Sequence, residues 1–107
     1  MSETGFNGYK NYETWCVSLW LSNEQAIDEL CRQMAAECRA QATGCWQVRE
    51  GIWPPEDAPK FLLADRLSSM IDEENPLLEN ATLYTDLLCA ALSEVDWHEV
   101  ADAFLEE

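Results

Sequence analysis

Basic residues are scarce in this sequence. Lysine and arginine contribute six residues against 21 aspartates and glutamates, which gives a net charge of −15. Direct binding to nucleic acid or to an anionic membrane requires the opposite sign, because lysine and arginine side chains neutralise phosphates. The composition therefore argues against both of these partners and favours a basic surface on another protein.

Glycine and histidine are also rare. The four glycines, at positions 5, 8, 44 and 51, do not form the spaced loop that precedes a helix in phosphate-binding sites. His98 is the single histidine and no Gly-x-Ser-x-Gly motif accompanies it, so a hydrolase site has little support. The D-x-D-x-D-G loop of calcium sites is missing as well. We therefore expect a protein that is not an enzyme and needs no cofactor, while the sequence leaves a Cys–His pair open.

Long apolar stretches are missing too. No run approaches the ~20 residues that a membrane-spanning helix needs. The N-terminal residues MSETGFNGYK lack the basic segment and apolar core of a secretory signal. Hydrophobic residues nevertheless make up 48% of the chain, which suffices for a buried core. We therefore expect a cytoplasmic protein with a single domain over residues 1–107, of which 1–10 form a loose lead-in.

Cysteine, in contrast, is well represented. The odd number of cysteines and their lack of paired spacing are typical of a reducing compartment. The five are Cys16, Cys31, Cys38, Cys45 and Cys89. The middle three are seven residues apart, and seven residues advance ~10 Å along a helix, whereas zinc-bound thiolates lie ~2.3 Å from the ion. We interpret these three as small apolar core residues. A metal or thiol function of Cys31, Cys38, Cys89 and His98 is a less favoured hypothesis.

The hydrophobic spacing predicts an all-α fold, a compact bundle of four to five short helices. We expect helices over residues 12–21, 24–42, 60–74, 80–93 and 97–107. Asn11 is a candidate N-cap for the first, and Asp96 with Glu99 resembles a capping box for the last. Residues 45–59 form a Trp/Pro-rich loop, in which a short extended piece at 46–49 or 51–53 remains open.

Helical periodicity also predicts which side chains face the core. In NYETWCVSLWL, residues 11–21, we place Trp15 and Trp20 in the core beside Cys16 and Leu19, and leave Tyr12 open. On the other helices the predicted inward residues are Ile27, Leu30, Cys31, Met34, Cys38, Ala42, Leu63, Leu67, Met70, Ile71, Ala81, Tyr84, Leu87, Leu88, Ala91, Leu92, Trp97, Val100, Ala101 and Phe104.

Acidic residues are concentrated in the second half of the chain. Residues 51–107 hold two basic and fourteen acidic residues, and a run of three acids ends the helix at 72–74. Acid at a helix C-terminus opposes the helix dipole, and a local rule broken without compensation often marks function. The candidate partner-binding residues are Asp72, Glu73, Glu74, Glu79, Asp86, Glu94, Asp96, Glu99 and Asp102. The competing interpretation is a solvated surface that serves solubility alone.

Two segments resemble a known family. Residues 11–20, NYETWCVSLW, are similar to the NYETWNVALW motif of small proteins carried by phages and other mobile elements. Residues 91–107, ALSEVDWHEVADAFLEE, resemble the VNWxEIAxxL ending of the same proteins. The chain departs at Cys16, where the family usually has asparagine, so a polar role of that asparagine would be missing here. The family is mostly uncharacterised, and the resemblance implies a mobile-element context without residue roles.

The favoured hypothesis is a counter-defence protein. Small acidic proteins of mobile elements are similar to anti-CRISPR and anti-restriction proteins, some of which mimic DNA. Such a protein would bind the basic nucleic-acid-binding surface of a host effector, because carboxylates on successive helical turns can imitate a duplex with one charge per ~1.7 Å.

The alternative is a non-catalytic adaptor that binds a protein through an apolar patch, with the acid serving solubility only. Tyr12, Trp46 or Trp53 would then be exposed anchors. Periodicity also leaves a homodimer open, through an apolar stripe on the second helix.

Overall fold

The computed structural model describes residues 7–77 and 81–105. That part of the chain forms six helices and no β-strand, which confirms the predicted all-α fold. The helices are α1 (Tyr12–Asn23), α2 (Gln25–Ala42), α3 (Trp46–Arg49), α4 (Ala58–Glu74), α5 (Leu83–Ser93) and α6 (Trp97–Leu105). Among the described residues, no helix is both long and apolar enough to cross a membrane.

The centre of the bundle is formed by α2, α4 and α6. Helix α4 packs against both α2 and α6, and α1 packs across α2 and α6. The residues that close this centre are fully or almost fully buried. They are Cys31, Met34, Ala35, Cys38, Leu63, Ala64, Leu67, Val100, Ala101 and Phe104. Within the described residues, α3 and α5 pack extensively against no other helix.

Local signals place the helix ends close to where the sequence predicts them. Asn11 caps α1 because its side-chain Oδ1 accepts from the Thr14 N–H at 2.9 Å. Helix α4 ends at Glu74, before Asn75 and Pro76. The suggestion of an extended piece at 46–49 is wrong, because these residues form α3, which ends where Gly51 takes a left-handed φ of 76°. Residues 51–53 form turns and bends instead of a strand.

The inward face of α1 differs from the predicted one. Trp20 is 66% exposed, so its placement in the core is wrong, and Trp15 is half-buried. The residues that α1 buries are Thr14, Ser18 and Leu21. Their polar groups are satisfied by distant segments, since Thr14 Oγ1 accepts from the Asp96 N–H and Ser18 Oγ lies 3.0 Å from the Tyr9 hydroxyl. The side of α1 that faces the bundle therefore carries small polar side chains, whereas Tyr12 and Trp20 are exposed.

Helix α5 also differs from the prediction in which residues it buries. No residue of α5 is fully buried, and Tyr84 and Leu87, predicted to face the core, are 72% and 59% exposed. Leu88, Ala91 and Leu92 are half-buried, and only Leu92 packs on the core cluster. The predicted inward residues Ala81, Ile27 and Leu30 are exposed as well, the last two at the start of α2. These exposed residues are in contact with solvent because no neighbouring helix of the described structure covers them.

The start of α6 combines a local cap with tertiary contacts. Asp96 Oδ1 accepts from the Glu99 N–H at 3.3 Å, as the capping-box pattern predicts. The reciprocal bond of that pattern is missing, because the Asp96 N–H donates to Thr14 Oγ1 and Glu99 Oε1 accepts from the Lys10 N–H. The loose lead-in predicted for residues 1–10 lies largely outside the described residues. Lys10, which is described, is held by this contact with α6.

Replacing Thr14 by valine tests the junction between α1 and α6. The hydroxyl of Thr14 donates to Asn11 Oδ1 at 2.6 Å and accepts from the Asp96 N–H at 2.9 Å, and the residue is fully buried. Valine has nearly the same shape but leaves the Asp96 N–H without its partner. We expect Thr14→Val to lower the free energy of unfolding by ~1–3 kcal/mol in urea titrations. Thr14→Ser, which keeps the hydroxyl, should lose less; an equal loss would contradict the role of the hydrogen bond.

Candidate functional site

Three of the six basic residues form ion pairs with carboxylates in the described structure. Arg32 pairs with Asp28 at 3.0 Å, Arg66 with Glu37 at 2.9 Å and Lys60 with Asp102 at 3.8 Å. The hydrogen bond from Arg66 holds the pKa of Glu37 below its usual value. The residues of these pairs belong to α2, the N-terminal half of α4 and α6. Asp28, Glu37 and Asp102 are therefore each neutralised by a partner within the protein.

The opposite situation holds at the end of α4 and on α5. Asp72, Glu73, Glu74 and Asp86 are exposed, and among the described residues none of them has an ion-pair partner. Glu94, directly after α5, is also exposed; its backbone carbonyl accepts from the Asn11 side chain and its N–H donates to the Ala91 carbonyl, while its carboxylate forms no ion pair among the described residues. No basic residue lies in the last turn of α4 or of α5 to offset this charge. We call these five residues the acidic surface.

The remaining predicted site residues do not share this arrangement. Asp96 and Glu99 are half-buried and accept the hydrogen bonds that hold the start of α6, and Asp102 pairs with Lys60. Glu79 lies outside the described residues. The nine candidates thus divide into five that form the acidic surface, three with partners inside the protein, and Glu79.

A cleft runs along α4 toward the acidic surface. Its first part, about 400 Å³, lies between the end of α4 and the α5–α6 junction and is lined by Ser68, Asp72, Asn75, Cys89, Leu92, Ser93, Val95 and Trp97. Its second part, about 380 Å³, shares Ser68, Val95 and Trp97 and adds Lys10, Ala64, Asp65, Asp96 and His98. Carboxylates thus line both parts, and Lys10 is the one cation among these lining residues.

The cleft contains residue types used in catalysis, but they are not joined. Cys89 lines the first part and His98 the second, and no hydrogen bond joins their side chains in the described structure. The His98 ring lies 5.0 Å from that of Phe61 instead. No group of three His, Cys, Asp or Glu side chains among the described residues could hold a metal ion.

The cysteines differ strongly in burial. Cys31 and Cys38 are fully buried, as predicted for core residues, whereas Cys45 is half-buried and Cys89 is exposed on α5. Burial raises the pKa of Cys31 from 9.0 to about 11, so its thiol stays protonated near neutral pH. All five cysteines are free.

Thiol alkylation should follow this difference. With iodoacetamide at pH 8 and mass mapping of the peptides, we expect Cys89 to be modified first and Cys31 and Cys38 only after unfolding in urea. Since the folded pKa of Cys31 is the higher one, this thiol should not affect stability below pH 9.0 and should lower it between pH 9.0 and about 11. Modification of Cys31 in the native protein at the rate of Cys89 would contradict the burial.

A second surface feature lies between α1 and α5. It is an apolar groove of about 190 Å³, which we call the α1–α5 groove. Its lining residues are Tyr12, Glu13, Cys16, Val17, Leu88, Ala91, Leu92 and Val95. Exposed side chains of the same two helices, Trp20, Leu83, Tyr84 and Leu87, add to the apolar surface outside the groove. Sequence reasoning assigned most of these residues to the core; the available signal was that α5, LYTDLLCAALS, is apolar on almost every side.

The tryptophans of the central loop have different environments. Trp46 is 55% exposed on α3, whereas Trp53 is half-buried with its ring 5.1 Å from that of Phe61. Of the anchors named for an adaptor, Tyr12 and Trp46 are therefore exposed, and Trp53 is packed against α4.

One family model matches the chain. It is described as a family of unknown function (DUF7249) and matches residues 2–53, a segment that includes α1, α2 and α3. The acidic surface lies beyond this segment, whereas the α1 side of the α1–α5 groove lies within it. Neither the curated proteins nor the solved structures gave a match. Over residues 2–53, the chain is therefore similar to a family whose function is not assigned.

Proposed function

We propose that this protein is a non-catalytic binding protein that docks its acidic surface on the basic, nucleic-acid-binding surface of another protein. The observation that supports the proposal is the division of the carboxylates into paired and unpaired groups in the described structure. The basic side chains that form ion pairs do so with Asp28, Glu37 and Asp102, which leaves the carboxylates at the end of α4 and on α5 exposed and unpaired.

The small free energy of a single exposed ion pair means that binding through this surface requires several carboxylates together. A single exposed ion pair contributes only ~0–1 kcal/mol, so one carboxylate could not hold a partner. Several carboxylates on adjacent elements act together, raise the association rate and exclude acidic competitors. The repulsion among Asp72, Glu73 and Glu74 is then relieved when a basic partner binds. This would compensate for placing acid at the negative end of the α4 dipole.

We propose counter-defence of the anti-CRISPR or anti-restriction type as the biological role. Its basis is the resemblance of residues 11–20 to proteins of phages and other mobile elements, combined with the net charge of −15. The partner would be a host effector in the bacterial cytoplasm, and the carboxylates would occupy the positions of nucleic-acid phosphates.

A pull-down with elution by nucleic acid tests this proposal. The tagged protein is incubated with host lysate in ~50 mM salt, and bound proteins are eluted either with ~500 mM salt or with duplex DNA or RNA, then identified by mass spectrometry. We expect a nuclease or nucleic-acid-surveillance protein that both treatments release, since the two ligands share one site. A partner that resists salt and nucleic acid would contradict the proposal.

The adaptor hypothesis is the second candidate, and the exposure of Tyr12 and Trp46 favours it. Binding through apolar side chains alone would depend little on salt, because screening weakens charge pairs and leaves apolar contacts largely unchanged. Salt-resistant binding that is lost on Tyr12→Ala or Trp46→Ala would therefore support the adaptor over the acidic surface.

A further inference from the structure

We propose that the α1–α5 groove receives one face of an amphipathic, lysine- or arginine-rich helix from the partner. This inference rests on the proposed function and adds the chemistry of the partner segment. It concerns α1 and α5, whereas the proposed function concerns the carboxylates of the acidic surface.

The groove has the size and lining of an anchor site. Its polar lining is negligible, and its volume of about 190 Å³ is below the ~300–1,000 Å³ of typical small-molecule pockets. A space of this kind suits one large apolar side chain of a protein partner, the usual form of an interface hot spot. Tyr12 at one wall and Leu88 at the other would contact that side chain from both sides.

Helix α5 is incompletely covered within the protein. It has eleven residues, none of them fully buried, and a helix of that length is marginal in water without tertiary packing. Its Leu83, Tyr84 and Leu87 are largely exposed, and Tyr84 lies about one helical turn before the groove residue Leu88. Exposed apolar surface beside a groove of this type usually marks an interaction site. An apolar face of a partner would cover α5 and stabilise it.

The charges around the groove select the partner. Neither α1 nor α5 contains a lysine or an arginine, and the one charged residue that lines the groove is Glu13. A second copy of this chain would bring two proteins of net charge −15 together, which is unfavourable. A basic segment would instead bring cations next to Glu13 while its apolar residues fill the groove. The charge pattern therefore favours a basic partner over a homodimer.

The walls of the groove also favour a helix over an extended strand. Both walls are helices, whose backbone groups bond internally, and the described residues offer no sheet edge to which a strand could add. A helix with apolar residues at i, i+4 and i+7 presents one stripe that a helix-lined groove can accept.

A defined peptide tests the inference without knowledge of the natural partner. The probe is a fluorescein-labelled peptide of 18 residues with leucines at i, i+4 and i+7 spacing and lysines on its remaining face. One control peptide has glutamate in place of lysine, and a second has the same composition in scrambled order. In fluorescence anisotropy at low salt, we expect the basic amphipathic peptide to bind at least about tenfold more tightly than either control.

Protein variants locate the binding. Tyr12→Ala and Leu88→Ala should each weaken peptide binding by about fivefold or more, whereas Ile52→Ala, at an exposed residue that does not line the groove, should change it by less than about twofold. Circular dichroism confirms that each variant is folded, and amide shifts in ¹⁵N-labelled protein should move on α1 and α5.

Other results would overturn the inference. They are the absence of peptide binding at ~1 mM, equal binding of the scrambled peptide, an equal loss in Ile52→Ala, or a homodimer in analytical ultracentrifugation that Tyr12→Ala or Leu88→Ala dissociates. If Leu88→Ala binds the lysate partner normally while reversal of the acidic surface abolishes that binding, the inference fails and the proposed function stands. If the peptide binds in the groove but the pull-down yields no partner that nucleic acid releases, the proposed function fails and binding of a basic helix in the groove stands.

Discussion

Reversing three carboxylates of the acidic surface, in the variant Glu73→Lys, Glu74→Lys, Asp86→Lys, is expected to abolish partner binding. Each of these side chains is exposed and, within the described residues, forms no ion pair, so the substitutions remove no contact that holds the fold. At a basic surface each new lysine both loses an attraction and adds a repulsion. We expect the affinity to fall by at least about a hundredfold, mainly through slower association at low salt.

The same variant should be as stable as the parent protein or more stable. Glu73 and Glu74 lie in the last turn of α4, where acid opposes the helix dipole and lysine complements it. Each reversal at that end should contribute ~0.3–1 kcal/mol to the free energy of unfolding in urea at low salt. Asp86 lies in the first turn of α5, where acid complements the dipole, so its reversal should offset about one of these two gains. Loss of binding together with unchanged or increased stability would separate an effect on the interface from an effect on the fold.

A matched control carries the same change in net charge at another place. Glu29→Lys, Glu50→Lys, Glu56→Lys reverses three exposed carboxylates on α2 and in the α3–α4 segment. This variant should keep most of the affinity, because these residues lie outside the acidic surface. An equal loss in both variants would mean that total charge, and not the acidic surface, determines binding. Normal binding of the first variant would contradict the proposed function.

Leucine-to-alanine substitutions at two positions should have very different effects on stability. Leu67 is fully buried in α4 at the centre of the bundle, whereas Leu87 is largely exposed on α5. We expect Leu67→Ala to lower the free energy of unfolding by ~2–5 kcal/mol, from lost burial and from the cavity left behind. For a domain whose total stability is ~5–15 kcal/mol, this loss would leave a substantial unfolded fraction at elevated temperature.

Leu87→Ala removes the same atoms and is the matched control. Its side chain is mostly in water already, so the change should stay within ~0.5 kcal/mol. Urea titration followed by circular dichroism measures both variants. A loss at Leu87 comparable to that at Leu67 would show that α5 is packed in solution more tightly than in the structure.

The ends of the helices were predictable because they depend on neighbours in the sequence. Asn11 caps α1 through the N–H of a residue three positions away, and Pro76 limits α4 through its effect on the preceding residue. The prediction failed at 46–49, where Gly51 and the prolines suggested a loop and a four-residue helix forms before the glycine. Caps and proline effects act between residues close in the sequence. They indicate where a helix begins and ends, but not which of its faces packs against the rest of the protein.

The buried face of α1 was not predictable from periodicity, because its polar residues are buried by distant partners. Thr14 is satisfied by the N–H of Asp96, 82 positions away, and Ser18 lies beside the hydroxyl of Tyr9. A hydrophobicity pattern counts threonine and serine as outward and tryptophan as inward. Without knowledge of those partners, Trp20 is assigned to the core and the α1–α5 groove is missed.

The sequence predicted that the candidate site is acidic, but not which of the carboxylates belong to it. The excess of acid in residues 51–107 and the run at 72–74 are visible by counting. Three of the predicted partner-binding residues are not part of the acidic surface because the folded chain gives them internal partners, such as Lys60 for Asp102. By itself, the sequence determined five of the six described helices, most of their ends and the total charge, because these follow from local propensity and composition. The tertiary structure alone decided which carboxylates stay unpaired and which apolar faces stay uncovered, because both depend on residues that are brought together from distant parts of the chain.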